Sequence, residues 1–278
     1  MIELLTITNL PELAAKCDQL PGMRLFVDLE HNGKAVRQKG YNTFISTHHI
    51  DDIGRVKAVL KRSTLMVRVN PFEPQNPQAC QLEVDAVLAQ GADQIMLPMF
   101  TNAPELRAFA EIVAGRVPIV ALLETAGALH SIESWLDTPG LAEVFVGLND
   151  LHLSLGCHFM FEPLLMGHVD RVAAAAKARS LRFGFGGIAR MNEGALPGQD
   201  VLGEHLRLGS GAVILSRTFN RTDGHLDNQS FEQAIASLRA TELKLGLRSP
   251  AQIENDRFHT YELIAKLTKA AGTALACA

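Results

Sequence analysis

The sequence is short of cysteine, of basic runs and of unbroken apolar stretches, and each shortage removes a class of function. Its four cysteines lie far apart, at Cys17, Cys80, Cys157 and Cys277, with none of the paired spacings that chelate zinc or close a redox disulfide. A reducing cytoplasm is the expected setting. Twenty-six Lys and Arg oppose thirty Asp and Glu for a net charge of −4, and no basic tract offers a nucleic acid or an anionic membrane an electrostatic foothold. Glu3 and Pro11 interrupt the N-terminal segment, so neither a signal peptide nor a membrane span is expected there. No glycine-rich linker, low-complexity tract or exact repeat divides the chain. Small-molecule partners are what remain.

What is present is a globular composition, 47% apolar and 20% charged over 278 residues, a length that suits two ordinary domains or one large barrel. Short runs rich in Val, Ile, Leu and Phe recur at 2–7, 25–29, 65–69, 94–99, 118–123, 144–148, 182–185 and 212–215. They lack strict polar alternation, the pattern of parallel strands covered on both faces. Helical periodicity fills 10–19, 50–61, 79–90, 104–114, 128–136, 167–179 and 201–207, with Asn102 or Thr101 placed to cap the fourth of these and Pro104 in its first turn. Eight strand–helix units close naturally into a single α/β domain, a (β/α)8 barrel. A ninth strand-like run at 41–46 is expected to belong to an insertion over 34–52, and helices over 231–245 and 258–271 to a C-terminal helical extension over 220–278 that packs on the barrel or on a neighbouring subunit.

In such a barrel, chemistry sits where strands end. The polar residues there are Asp28, Glu30, His31, Arg68, Asn70, Glu124, Asn149 and Asp150. Glu124 and Asp150 would enter one mouth from neighbouring strands, a pairing suited to magnesium, which takes one or two protein carboxylates and leaves substrate and water to complete its shell. Helix caps or surface ion pairs would also explain either one singly. No His and Cys set of the zinc kind competes. Arg68 sits in an apolar strand, where a guanidinium is costly unless it meets an anion; a substrate oxo or carboxylate group would serve, as would a structural pair with Glu30 or Glu124. His31 beside carboxylates can be held in one tautomer and tuned to accept a proton. His48 and His49 suit a lid or catalysis equally. Gly186-Gly187 and Gly209-Ser210-Gly211 look like phosphate cradles but lack a following Lys-Ser, and tight turns account for them.

Five ordered strings, Phe26-Val27-Asp28-Leu29-Glu30-His31, Val67-Arg68-Val69-Asn70-Pro71, Gly91-Ala92-Asp93-Gln94-Ile95-Met96-Leu97-Pro98-Met99, Leu123-Glu124-Thr125 and Val146-Gly147-Leu148-Asn149-Asp150-Leu151, resemble the HpcH/HpaI family of 2-oxo acid aldolases and citrate lyase β-subunits, from about residue 24 to 219. The resemblance implies a (β/α)8 barrel and a divalent metal, Mg2+ or else Mn2+ or Co2+, held by Glu124 and Asp150 and chelated by a pyruvate-like oxo acid. It implies that Arg68 polarises the oxo group, that backbone amides near Asn149 and Asp150 receive the carboxylate, and that His31 with Asp28 moves the proton of the aldol hydroxyl, with Glu30 behind them. Two features lean to the lyase branch: Leu122, where aldolases often carry Gln, and the Val-Arg-Val-Asn-Pro string. His31 stands where that branch usually has a carboxylate. The expected function is metal-dependent carbon–carbon lyase chemistry on an oxo acid and an aldehyde. An acyl-CoA lyase of citrate or malate type is the alternative, followed by a non-catalytic metabolite-binding barrel. The resemblance also implies a homo-oligomer.

Overall fold

The computed structural model describes residues 1–32, 47–219 and 228–276. Its elements run β1 (Glu3–Ile7), α1 (Pro11–Cys17), β2 (Met23–Asp28), α2 (Ile50–Lys57), β3 (Thr64–Arg68), α3 (Pro77–Ala89), β4 (Gln94–Leu97), α4 (Ala103–Val113), β5 (Ile119–Leu123) and α5 (Ala126–His130). After β6 (Leu141–Val146) come α6 (Leu148–Ser154), α7 (Glu162–Leu165), α8 (His168–Ala178), β7 (Arg182–Ile188), α9 (Gly198–Leu208), β8 (Ala212–Leu215), α10 (Asn228–Gly246) and α11 (Pro250–Ala276). The strands pair in parallel in chain order and β8 closes on β1. The fold is the (β/α)8 barrel that the strand count anticipated. No helix among the described residues is long and apolar enough to cross a membrane.

Several boundaries differ from expectation for local reasons. Asn102 is the cap of α4, its side chain accepting the Glu105 N–H at 3.1 Å, while the Thr101 hydroxyl donates to the Glu105 carboxylate. The helix expected over 128–136 divides into α5 and a 3-10 turn at Ile132–Ser134; beyond it Trp135 is buried, its indole N–H held by the Ala128 carbonyl at 2.9 Å. The strand expected over 144–148 ends at Val146, because Leu148 already starts α6 and Asp150 lies in that helix's first turn. Residues 50–52 belong to α2 rather than to an insertion, since the Asp52 carboxylate accepts the His49 N–H at 2.8 Å and starts the helix there. The expected strand at 41–46 lies outside the described residues. Helices α10 and α11 pack on α9, and α11 also meets α7.

Strand side chains alternate between faces, and the alternation sorts this barrel's residues by height. The interior is filled by Leu5, Phe26, Met66, Met96, Val120, Leu122, Phe145 and Ala212. Their immediate neighbours along the strands, such as Leu25, Val27, Leu65 and Val67, join the layer under the helices instead. Counting by twos from the interior residues, β2 aims Arg24, Phe26 and Asp28 inward; β5 and its extension aim Val120, Leu122 and Glu124; β6 aims Glu143 and Phe145. Charge therefore stands at both ends of an apolar plug. Gly184 makes room for that plug, since a Cβ there would lie 2.7 Å from the Phe145 ring.

Outside the sheet, His205 of α9 is completely buried and stacks on Phe185 at 3.8 Å between ring centroids. The Ser210 hydroxyl donates to the Ala212 carbonyl, so it accepts from His205 Nδ1–H at 2.8 Å, and the ring is neutral. Burial pushes its pKa from 6.5 down to about 3. The unfolded chain binds a proton at this position below pH 6.5 that the folded chain refuses until about pH 3. Stability should therefore be unaffected by this ring above pH 6.5 and should fall as pH drops through that window, by up to about 1.4 kcal/mol per pH unit. His205→Phe should flatten the pH dependence of the urea midpoint between pH 6 and 4 by about one proton; an unchanged slope would contradict the assignment.

Candidate active site

Asp28 and Arg68 end adjacent strands and are register partners, so their inward side chains meet. Arg68 donates through Nε to Asp28 Oδ1 at 2.8 Å and through Nη2 to Oδ2 at 2.7 Å, the bidentate fork that fits a carboxylate best. Its Nη1 lies 3.3 Å from Glu30 Oε2. Burial alone would disfavour the guanidinium, but Asp28, Glu30 and Glu124 outweigh it and hold the charge firmly in place. The ion-pair partner that matters most is Asp28, where the sequence suggested Glu30 or Glu124.

Glu124 continues the inward column of β5 and is 2% exposed. Its Oε1 accepts the backbone N–H of Met99 at 3.0 Å, and Met99 adopts a φ of 57°, a conformation that costs a branched or bulky residue energy and recurs at functional sites. Burial, then the charges of Glu30 and Asp150, push the Glu124 pKa well above the usual carboxylate range; Arg68 and the Met99 amide oppose them. Asp150 is buried in the first turn of α6. Asn149 beside it is exposed. Three carboxylates, those of Asp28, Glu30 and Glu124, thus act on one guanidinium, and Asp150 adds its charge beside Glu124.

His31 stands on the exposed rim. Its backbone N–H donates to Asn70 Oδ1 at 3.0 Å, and Asn70 Nδ2 donates in turn to Glu83 at 2.7 Å. Burial raises the Glu83 pKa, opposed by these Asn70 hydrogen bonds and by His31. The resemblance pairs His31 with Asp28, yet the Asp28 oxygens face Arg68, and the atom against His31 Nε2 is the His48 carbonyl at 3.3 Å. His48 is 6% exposed and its Nδ1 accepts the Asp28 N–H at 3.1 Å. Sequence reasoning left His48 unassigned and did not single out Met99 or Glu83. Elsewhere, a cavity of about 540 Å3 between α9, α10 and α11, lined by Asp200, Arg248, Asp256 and His259 among others, shares no residue with this mouth.

The oxygen-only donor set, its excess negative charge and the strained pKa of Glu124 suit a hard divalent cation. Among the described residues no group of three or more His, Cys, Asp or Glu side chains could hold a metal unaided, and a two-carboxylate site leaves the remaining positions to substrate and water.

A model of the HpcH/HpaI aldolase/citrate lyase family matches residues 7–184. The chain belongs to that family. Lyase and aldolase activity on small molecules is therefore its general character. Every residue of the mouth cluster lies within the matched part, whereas α9, α10 and α11 follow it. No curated protein matches the chain. Among solved structures, an HpcH/HpaI aldolase/citrate lyase family protein from Burkholderia cenocepacia J2315 is 17% identical with a TM-score of 0.60, covering 87% of this chain and 94% of its own. An HpcH/HpaI aldolase from Desulfitobacterium hafniense DCB-2 is 18% identical with a TM-score of 0.58, covering 87% and 93%. The citrate synthase SbnG is 13% identical with a TM-score of 0.59, covering 89% and 95%. At these identities the likeness shows the shared barrel.

Within this HpcH/HpaI barrel, Gly147 is explained by its neighbour. A Cβ there would lie 2.8 Å from Glu124 Oε2 and 3.1 Å from Glu124 Cβ. Its φ of −84° suits any residue, so Gly147→Ala should fold, displace the Glu124 carboxylate and lower kcat/KM by about 10- to 100-fold, as misplaced groups around a metal site do. Urea unfolding and steady-state kinetics on the same preparation would separate the two effects; activity equal to wild type would show that turnover does not depend on the room Gly147 leaves for the Glu124 carboxylate.

Proposed function

We propose that the chain is a divalent-metal-dependent carbon–carbon lyase that breaks or makes a bond to the methyl carbon of a pyruvate-like 2-oxo acid. The observation that carries this is the Glu124 carboxylate, raised in pKa by burial and then by Glu30 and Asp150 and opposed by the fixed Arg68 guanidinium. A divalent cation held by Glu124 and Asp150 would supply positive charge against the negative charge that builds up on the oxo acid.

The chain's own residues supply the rest. Asp28 and Glu30 prevent Arg68 from swinging away, so its remaining N–H bonds are oriented before the substrate arrives and cost no reorganisation as charge develops on the oxo oxygen. The first amides of α6, near Asn149 and Asp150, precede the first helical bond, which runs from Leu151 N–H to the Gly147 carbonyl; they suit the oxo acid's carboxylate. His31 on the rim moves the proton of the aldol hydroxyl, where the aldehyde partner must enter. The assay is a product screen with Mg2+, Mn2+ or Co2+, following pyruvate release from 4-hydroxy-2-oxo acids and exchange of the methyl protons of pyruvate. Failure of both, with every metal, would remove the reading.

Leu122 favours a second reading, lyase action on an acyl-CoA thioester of citrate or malate type. It belongs to the apolar plug immediately below Glu124, where a polar Gln would alter the floor of the site. Release of CoA or acetyl-CoA in the same screen would decide for it.

A further inference from the structure

We propose that His48 is a positioning residue that decides which nitrogen of His31 carries the proton, an inference that rests on the lyase reading for its reaction but not for its geometry. A backbone N–H can only donate, so the Asp28 amide 3.1 Å from His48 Nδ1 requires an unprotonated nitrogen there. This bond ties His48, two residues before α2, to the end of β2. The tie is reinforced one residue on, where the Asp52 carboxylate, 1% exposed, accepts both the His49 N–H at 2.8 Å and the Asn9 side-chain amide at 3.0 Å.

So anchored, the His48 carbonyl is presented to the His31 ring, 3.3 Å from Nε2. A carbonyl can only accept, so Nε2 carries the hydrogen and the lone pair resides on Nδ1. The His31 backbone is fixed from the other side by Asn70, itself held by Glu83. The ring is therefore held at Nε2 while the backbone is held by Asn70, and Nδ1 is the proton-accepting atom. In the cleavage direction Nδ1 takes the hydroxyl proton, the hydroxyl carbon leaves as an aldehyde, and the electron pair of the broken bond passes into the enolate of the oxo acid. The His48 side chain acts only by placing its own carbonyl.

The test combines a tautomer measurement that does not require turnover with kinetics that do. Long-range 1H–15N spectra of the full-length wild type should show His31 with a protonated Nε2 and an unprotonated Nδ1. In His48→Leu, which removes the acceptor for the Asp28 amide, the two His31 nitrogen signals should move toward each other as tautomers mix, and kcat should fall about 10- to 100-fold with KM nearly unchanged, as when an orienting partner is lost. In His48→Asn the side-chain oxygen can stand where Nδ1 stood, and both the nitrogen signals and most of kcat should return. Unchanged His31 signals in His48→Leu would overturn the proposal, as would an Asn variant no better than Leu. If His48→Leu does not fold, a His48→Asn protein with mixed His31 tautomers would overturn it equally. If the wild type turns over no oxo acid or thioester, the lyase reading fails while the spectra still decide the positioning.

Discussion

Replacing Glu124 with alanine is expected to remove metal-dependent turnover, a loss larger than the roughly 100-fold that follows removal of a group supporting a metal ligand. Glu124 is buried among Glu30, Asp150 and Arg68. The same variant should relieve repulsion. Without the Glu124 carboxylate its repulsion with Glu30 and Asp150 is gone, so in metal-free buffer Glu124→Ala should lose less stability than its burial suggests, although the Met99 amide is left without its acceptor. Added Mg2+ or Mn2+ should raise the melting temperature of the wild type by binding only the folded state and should raise that of the variant much less. Glu124→Gln, of the same size and able to accept from Met99, controls for packing. A variant retaining full activity, or an equal thermal shift in wild type and both variants, would remove Glu124 from the metal site.

The barrel was legible because its strands are covered on both faces and so read as short apolar runs without alternation. Its mouth was legible for a related reason. Asp28, Arg68 and Glu124 interrupt or end those runs, and a charge in such a place has to face something polar. What stayed hidden came from residues that act through backbone or from across the chain. Met99 contributes an amide, which no side-chain pattern reveals. His48 reaches Asp28 across 20 residues of sequence. One signal was available for it: the pattern His49-Ile50-Asp51-Asp52 reads as a helix start, which in a barrel places the preceding residue at the mouth. The start of α6 was obscured because Leu148 and Leu151 extend the apolar run of β6, so a short helix looked like more strand. Arg24 and Glu143 went unremarked although the period of two that aims Asp28 inward aims Arg24 inward as well.

Arg24→Met is expected to cost about 3–5 kcal/mol of stability, the usual result of removing one member of a buried ion pair. Arg24 is completely buried at the far end of the barrel from Asp28. Its Nη2 meets Glu3, and its Nη1 lies 2.8 Å from Glu143 Oε2, with Glu143 itself 1% exposed. Arg182 neutralises Glu3 from outside at 2.8 Å but stands 3.9 Å from Glu143. Loss of Arg24 therefore strands mainly the Glu143 carboxylate in a space too apolar to hydrate it. Against a total of roughly 5–15 kcal/mol for a folded domain, this would shift the urea midpoint further than any surface substitution. The double variant Arg24→Met with Glu143→Leu should recover most of the loss, because an apolar pair of similar volume needs no compensating charge. A single variant within about 0.5 kcal/mol of wild type would mean that the pair is not buried as described. In folded protein, kcat should be unchanged in both variants, since the apolar plug separates this ion pair from Arg68. Arg24 and Arg68 are then the same residue type on the same inner face, and their neighbours distinguish them. Arg24 and Arg182 together balance the two carboxylates of Glu3 and Glu143, whereas Arg68 faces an excess of negative charge that calls for a cation.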